Sequence, residues 1–513
     1  MRTKSTFPPI AILLLPFIFW SACRKEFDHA PSSGSLEFSR DTVYLDTLFS
    51  GIGSSTYTLK VYNRSNKDLQ VPTITLGLGE NSSYRLNVDG VAGKSFKNVP
   101  ILAKDSMYIL IENTYTISDT LSTEFLSTDV IHFIGEGNKQ EVSLVSLIRD
   151  AIFLYPGMPG SQALGTVQGK LDGEGITLSA DTFTVPEAHL TFTNTKPYVI
   201  YGYATVEKDQ QLIMEAGTRT YFHNNSGLLI HNGGSLHING GPSLDEDSME
   251  GEVIFEGDRP EANFENEPGQ WGGIWILGQS APSYIEHLTL RNARIGILVK
   301  TGTVDDNTLL SLKNVQIYNS SITNLWSRSG DITAENVVLG NAGTHSFHGQ
   351  GGNYNFVHCT IANYYNKGFR VGAALALSNF MTKELGDEKI ADLKSAIFTN
   401  CIIWGSGSNE YALAKEASAL FNFHFDHCLL KKSTASSGGD VSLYDLTNKE
   451  HYDQVLVNGD PVFLDPLRHN LAIGPTSAAL GWAKMETAPM VPYDILGKDR
   501  TNVPDIGAYQ HLD

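Results

Sequence analysis

The chain has 513 residues and a formal net charge of −19, from 37 Lys and Arg against 56 Asp and Glu. This length provides for roughly two or three domains, and a composition of 41% hydrophobic and 18% charged residues excludes a disordered polyampholyte or a coiled coil. The acidic balance excludes a partner bound through a phosphate backbone, because such affinity depends on clustered Lys and Arg. No nucleic-acid partner is expected.

An export signal is predicted at the amino terminus. Residues 1–22 start with a basic stretch and continue with an apolar run that is too short to span a membrane comfortably. The segment ends in Ser-Ala before Cys23, which resembles the lipobox of bacterial lipoproteins. That resemblance implies cleavage before Cys23 and lipidation of its thiol. Membrane contact is therefore expected through a lipid anchor only.

A polar tether and a first folded unit follow the signal. Residues 23–35 are rich in polar residues, Pro, Gly and Ser, as is typical of a linker. From 36 to 150, short alternating runs such as YTLKVY (57–62) and MYILI (107–111) are separated by turn residues. This pattern predicts a β-sandwich of immunoglobulin-like type, and nothing in it has catalytic spacing.

A repeat of about 22 residues dominates the next segment, 151–430. Seven stretches align on their fifth residue, with successive steps of 22, 22, 22, 21, 21 and 27 residues. These fifth residues are Asn292, Asn314, Asn336, His358, Asn379, Asn400 and His427. The period and the apolar alternation around it predict a parallel β-helix, in which equivalent residues of successive coils stack. A leucine-rich repeat is disfavoured because its regular Leu frame is absent.

The stacked columns predict structural roles for several reactive side chains. A column of Asn can pass amide hydrogen bonds along the stack, and the two His of that column are expected to do the same. Cys359, Cys401 and Cys428 share the next column with small apolar residues. We therefore expect buried free thiols there, rather than disulfides or a zinc site.

Only weak candidates for catalysis remain. Lys313 is predicted on the outward face, stacked beside Arg291 and paired with Glu335 one coil further, which favours a solvated ion-pair column over a lyase base. His345 and His348 have i, i+3 spacing in a Gly-rich stretch, without a carboxylate or third ligand. No catalytic residue is assigned, and these three side chains are the weak candidates.

Ligand-binding and metal candidates are equally weak. Trp271, Trp275 and Tyr284 offer flat rings to a sugar, although aromatic residues beside Gly more often close the edge of a coil. Asp305 and Asp306 lie in the stretch TGTVDDNT and can bind a cation, but adjacent loop acids are mostly solvated. No metal site or cofactor is assigned, and calcium is the one alternative retained.

Four stretches carry a family resemblance: GSLHINGG (234–241), QWGGIWI (270–276), HCTIANY (358–364) and PDIGAY (504–509). With the repeat, they resemble the right-handed parallel β-helix repeat proteins among surface lipoproteins of Bacteroidota. The resemblance implies an all-β chain: an immunoglobulin-like β-sandwich, then a right-handed parallel β-helix with a C-terminal cap. The cap is predicted at 431–513, because an open β-helix end exposes strand edges. A short helix is predicted at 411–419.

The predicted export and lipid anchoring, together with the predicted fold, suggest a function, but no motif specifies an activity. We expect a lipid-anchored protein of the outer membrane or cell surface that acts as a non-enzymatic module binding an extracellular polysaccharide or a cell-surface partner. The alternative is a polysaccharide lyase or glycoside hydrolase that acts on an extracellular glycan.

Overall fold

The computed structural model describes residues 30–32, 36–117, 124–171, 176–245, 247–259, 261, 264–301, 308–382, 388–433 and 440–512. The predicted signal at 1–22, Cys23 and most of the tether lie outside the described residues. The chain divides into two compact units, Met1–Arg149 and Asp150–Asp513. Across the described residues there is no α-helix, and no helix has the length and apolarity to cross a membrane. The predicted all-β class is confirmed.

Two sheets of the first unit share one hydrophobic core, which joins side chains such as Val43 and Ile131 of one sheet to Leu59 and Ile109 of the other. The six-stranded sheet contains β1 (Ala30–Pro31), β3 (Thr42–Phe49), β5 (Leu69–Leu76), β8 (Ser95–Ile101), β10 (Glu124–Ile134) and β11 (Lys139–Arg149). The five-stranded sheet contains β2 (Leu36–Phe38), β4 (Tyr57–Asn63), β6 (Tyr84–Val88), β7 (Val91–Gly93) and β9 (Ser106–Asn113). Burial alternates along these strands, as the sequence pattern predicts.

Three long sheets build the second unit, and nearly all of their strands pair in parallel. Sheet A contains β12 (Ile152–Leu154), β16 (Tyr198–Ile200), β19 (Arg219–Phe222), β22 (Val253–Gly257), β25 (Leu288–Arg291), β28 (Gln316–Ser320), β31 (Val338–Ala342), β34 (Thr360–Asn363), β39 (Ile402–Gly405), β42 (Leu429–Leu430) and β44 (Leu456–Val457). Sheet B contains β13 (Ala163–Leu171), β14 (Ile176–Thr184), β17 (Tyr203–Val206), β20 (Gly227–Ile230), β23 (Gly273–Leu277), β26 (Ile295–Lys300), β29 (Thr323–Arg328), β32 (Phe347–Gln350), β35 (Leu375–Ser378) and β40 (Tyr411–Ala414). Sheet C contains β15 (Thr191–Phe192), β18 (Gln211–Glu215), β21 (Ser235–Asn239), β24 (Ser283–Glu286), β27 (Leu309–Lys313), β30 (Asp331–Glu335), β33 (Gly352–Val357), β38 (Leu393–Thr399), β41 (Phe421–Asp426) and β43 (Tyr452–Asp453).

The remaining elements are short. The hairpin of β36 (Phe380–Thr382) and β37 (Glu388–Ile390) interrupts one coil, and β45 (Phe463–Asp465) pairs with β46 (Asn470–Ile473) near the C terminus. In the described part of the chain, single-turn 3₁₀ helices occur at Gly79–Asn81, Glu187–His189, Val441–Tyr444, Pro466–Arg468 and Met485–Thr487.

The chain visits sheets C, A and B in turn, as in a parallel β-helix. Residues one coil apart therefore lie side by side, and the inward rows form one continuous core. One such row in sheet B contains Ala204, Leu228, Ile274, Ile297, Leu325, Phe347, Leu375 and Tyr411, all of them buried. A single coil cannot bury its apolar face alone, so the stacking of neighbours supplies the core.

Amide ladders follow two corners of this unit, where the backbone turns at positive φ. Asn336 donates to the side-chain oxygen of Asn314 over 2.9 Å, and Asn314 donates to His287 Nε2 over 3.0 Å. At the next corner Asn319 donates to Asn292 over 2.8 Å. All five residues have φ between 49° and 64°, a region that Asn tolerates better than most side chains.

Two of the seven aligned positions were assigned to the wrong corner. Asn292 lies between sheets A and B, and Asn379 follows a strand of sheet B, whereas the other five lie between sheets C and A. His287 occupies the place expected for Asn292, so the coil that ends at Asn314 is 27 residues long. The extra length comes from the stretch between Lys300 and Thr308. The 22-residue distance from Asn292 to Asn314 made this coil look as short as the next ones.

The column of cysteines is confirmed. Cys359, Cys401 and Cys428 are free thiols with no solvent exposure. Their sulfur atoms lie against backbone carbonyl oxygens, and burial beside the two neighbouring thiols raises the pKa of Cys401 well above its ordinary value. These residues pack as small hydrophobic side chains.

The C-terminal residues differ from the predicted cap in their position. Within the described part of 431–513, β43 and β44 each add a last parallel strand to sheets C and A, and Tyr444 Oη accepts a hydrogen bond from Leu413 N in the last strand of sheet B. The later residues pack against the outer face of sheet A, as Tyr509 does on Tyr318. Several outward side chains of that sheet, among them Val338, Ala362 and Ile402, are apolar and need this cover.

The predicted helix at 411–419 is wrong. Tyr411–Ala414 forms β40, in parallel register with β35. Tyr411 and Leu413 point into the core in line with Leu375 and Leu377, and burial of these side chains outweighs the helix propensity of the Ala-rich stretch.

Candidate functional site

The outer face of sheet C carries a mixture of polar and apolar side chains. One row of it runs across eight neighbouring strands and consists of Ile213, His237, Tyr284, Ser311, Thr333, Asn355, Ile397 and His424. Neighbouring strands lie about 4.8 Å apart, so this outer row is about 34 Å long. All eight side chains are exposed or half-buried. The row can contact an extended chain molecule lying along the stack of coils.

The outer row has an ordered aromatic cluster near one end. Tyr284 is 46% exposed, and its ring meets the ring of His237 edge to face at 5.2 Å between centroids. Gln211 Nε2 donates a hydrogen bond to His237 Nε2 over 2.9 Å. This hydrogen bond and the contact with the Tyr284 ring hold the imidazole in place beside the tyrosine. The cluster presents a free aromatic ring with polar groups at its edge.

Sequence reasoning found Tyr284 but missed Gln211 and His237. These three residues are 26 and 47 positions apart, because the intervening coil includes a long loop. The sequence does contain one signal for His237, which is that the apolar, inward residues Leu236 and Ile238 flank it. That alternation places His237 on the outside of its strand.

Lys313 lies in the neighbouring row of sheet C, between two carboxylates. Its Nζ is 3.9 Å from Glu286 and 3.6 Å from Glu335, in the ion-pair column that the sequence predicted. Arg291, however, does not stack beside Lys313. It lies in sheet A and pairs with Glu256 at 2.6 Å, because its segment belongs to the other corner. Lys313 therefore has an acid on each side, and Arg291 is not beside it as the second cation that would help to hold an acidic sugar.

The two tryptophan candidates do not present rings to solvent. Trp271 has no exposed surface, stacks on Phe222 at 4.1 Å and donates its indole N–H to the carbonyl of Arg291. Trp275 is on the outward side of sheet B, but it is buried against Tyr203 and Leu298. Both rings complete hydrophobic clusters, so neither lies on the candidate surface.

His345 and His348 lie together, with ring centroids 4.8 Å apart. Both are half-buried, and burial is the main reason that their pKa values are lowered. The charged groups that act on them are cations: Arg370 lowers the pKa of His345, and Arg328 lowers that of His348. Both guanidinium groups disfavour the charged form of these imidazoles, which is opposite to the effect of the carboxylate that polarises a catalytic histidine.

The remaining candidates cannot be placed relative to this surface. Asp305 and Asp306 lie outside the described residues, as does the lipidation candidate Cys23. Among the residues that the structure describes, no group of three or more His, Cys, Asp or Glu side chains is arranged to hold a metal ion. The outer row of sheet C is thus the best-defined candidate surface.

Comparisons with known proteins add little to this geometry. No family model matches the chain, and no curated protein matches it. Among 14 matching chains of solved structures is a family 123 glycoside hydrolase from Clostridium perfringens, with 7% identity and a TM-score of 0.16 over 23% of this chain and 26% of that one. Another is the YadV chaperone, with 14% identity and a TM-score of 0.15 over 30% and 68% of the two chains. This chain spans about a quarter of the hydrolase, and TM-scores this low carry no argument about fold or activity.

Proposed function

We propose that this protein is a surface lipoprotein that binds a neutral extracellular glycan along the outer row of sheet C without cleaving it. In this proposal the chain is an immunoglobulin-like β-sandwich at 36–150 followed by a right-handed parallel β-helix from 151, and a lipid on Cys23 holds it at the outer membrane or cell surface. The observation that carries the binding proposal is the exposed ring of Tyr284, held beside the oriented imidazole of His237.

The geometry favours binding over catalysis. A sugar ring can place its C–H face on an aromatic ring while its hydroxyls bond to polar edges, and Tyr284 with Gln211 and His237 offers this combination. The adjacent row has Glu286, Lys313 and Glu335, in which the acids outnumber the cation. A neutral glycan is therefore favoured over a uronate, which the acids would repel.

The test is a titration of the full chain with a neutral linear glucan and, separately, with polygalacturonate, followed by calorimetry. Tyr284→Ala should weaken glucan binding at least tenfold, whereas Tyr284→Trp should retain it. Tyr155→Ala is the matched control, because Tyr155 is 44% exposed and lies outside the row. Equal affinities of the Tyr284→Ala and Tyr155→Ala variants would exclude this surface as the binding site.

The same samples are assayed for new reducing ends and for unsaturated sugar products. Cleavage by the parent chain that disappears in Lys313→Ala or His348→Ala would overturn the non-enzymatic proposal in favour of a hydrolase or a lyase. Binding without either product supports it.

A further inference from the structure

The outer row of sheet C is continuous from one end to the other. Each of its eight residues is the direct Cα partner of the next. Register shifts in two of these strand pairs lie between Gly352 and Asn353 and between Leu393 and Ala396, so they fall outside the row. The row therefore advances by one side chain per strand, about 4.8 Å at each step.

The middle of the row consists of short polar side chains. Ser311, Thr333 and Asn355 are exposed or half-buried, and their hydroxyl and amide groups can bond to the hydroxyls of a ligand. On one side they are bordered by the longer side chains of Lys313 and Glu335, which form an ion pair at 3.6 Å. A ligand that lies along the row thus meets hydrogen-bonding groups below it and a charged border beside it.

The end of the row opposite Tyr284 is a second contact point. Ile397 is 40% exposed, and the next residue of the row is His424. His424 Nδ1 donates to the carbonyl oxygen of Glu450 over 2.9 Å, so Nε2 is an acceptor in the neutral ring. An apolar surface and a hydrogen-bonding imidazole are therefore adjacent here, as they are at Tyr284 and His237.

We infer, on the basis of the proposed glycan-binding function, that the outer row takes an extended β-1,4-linked glucan with one sugar residue over each strand from Tyr284 to His424. Five strand steps separate these two residues, a distance of about 24 Å. One sugar residue of a fully extended β-1,4-linked chain has nearly the length of one strand step. Successive sugars can therefore meet successive side chains of the row.

The linkage between the sugars decides the fit. A chain of α-1,4-linked glucose has the same composition, but it coils into a helix, so successive sugars do not keep to one row. A coiled chain would contact one part of the row, whereas an extended chain reaches both Tyr284 and His424. Because each contacted group adds to the binding free energy, the extended chain should bind more tightly.

The experiment compares cellohexaose with maltohexaose in calorimetric titrations of the full chain. Cellohexaose should bind more tightly by a factor of about ten or more. Thr333→Arg places a long charged side chain in the middle of the row and should weaken cellohexaose binding by a factor of about ten or more. Thr58→Arg is the matched control, because Thr58 is also an exposed threonine on a strand but belongs to the first unit. Circular dichroism verifies the fold of each variant.

Chain length supplies an independent measurement. His424→Ala should weaken cellohexaose binding about threefold or more, the effect of one lost hydrogen bond. It should leave cellotriose binding as in the parent, because three sugars cannot reach from Tyr284 to His424. Equal affinities for cellohexaose and maltohexaose, no detectable cellohexaose binding, or equal effects of Thr333→Arg and Thr58→Arg would overturn the inference. The glycan proposal fails separately, when Tyr284→Ala binds the glucan polymer as tightly as Tyr155→Ala does.

Discussion

The amide ladder of the second unit can be tested at Asn336. Its side chain is buried, its φ is 52°, and its Nδ2 donates to Asn314 and to the carbonyl of Tyr493, each over 2.9 Å. Asn336→Ala removes both hydrogen bonds and leaves, at positive φ, a residue that tolerates the left-handed region less well than Asn does. Two hydrogen bonds contribute about 2 kcal/mol, and the left-handed conformation costs Ala about 1 kcal/mol or more. The expected loss of unfolding free energy is about 3 kcal/mol.

Two further variants separate these contributions. Asn336→Gly relieves the backbone but still loses the bonds, so it should cost about 2 kcal/mol. Asn225, with φ of 56° on an exposed turn, serves as the control, since Asn225→Ala should cost only the backbone part, about 1 kcal/mol. The assay is urea denaturation of the full chain, read by tryptophan fluorescence. The ladder is refuted if Asn336→Ala costs no more than Asn225→Ala.

Two other predictions concern buried groups of the same unit. Burial lowers the pKa of His469 to about 4. Below about pH 6.5 the unfolded chain therefore binds a proton at this imidazole that the folded chain does not bind. The free energy of unfolding falls by up to about 3 kcal/mol between pH 6.5 and pH 4. Urea midpoints at pH 7 and pH 4.5 should show a smaller acid loss for His469→Leu than for the parent, and identical losses would contradict the assignment. The three buried thiols should resist maleimide in the native chain and react after denaturation; they are Cys359, Cys401 and Cys428. Peptide mapping measures the labelling at each cysteine. Rapid labelling of the native chain would show that the thiols are accessible and would contradict the prediction.

The candidate surface was only partly foreseeable. Tyr284 attracted attention as an aromatic residue, but the sequence did not show that Gln211 and His237 would lie beside it, because register across sheet C depends on the length of each loop. The same uncertainty misplaced Trp275, whose outward position is buried by Tyr203. Alternation along a strand predicts which side a residue faces, but it does not predict what covers that side.

The sequence by itself determined the all-β class, the stacked repeat and the column of thiols, because alternation and period depend on residues close in the chain. Only the tertiary structure decided which Asn stack, since Asn292 and Asn314 are 22 residues apart yet lie at different corners. It also placed the last 50 or so residues along sheet A rather than over the end of the coils. Both outcomes depend on long-range packing, where the burial of apolar side chains outweighs local spacing.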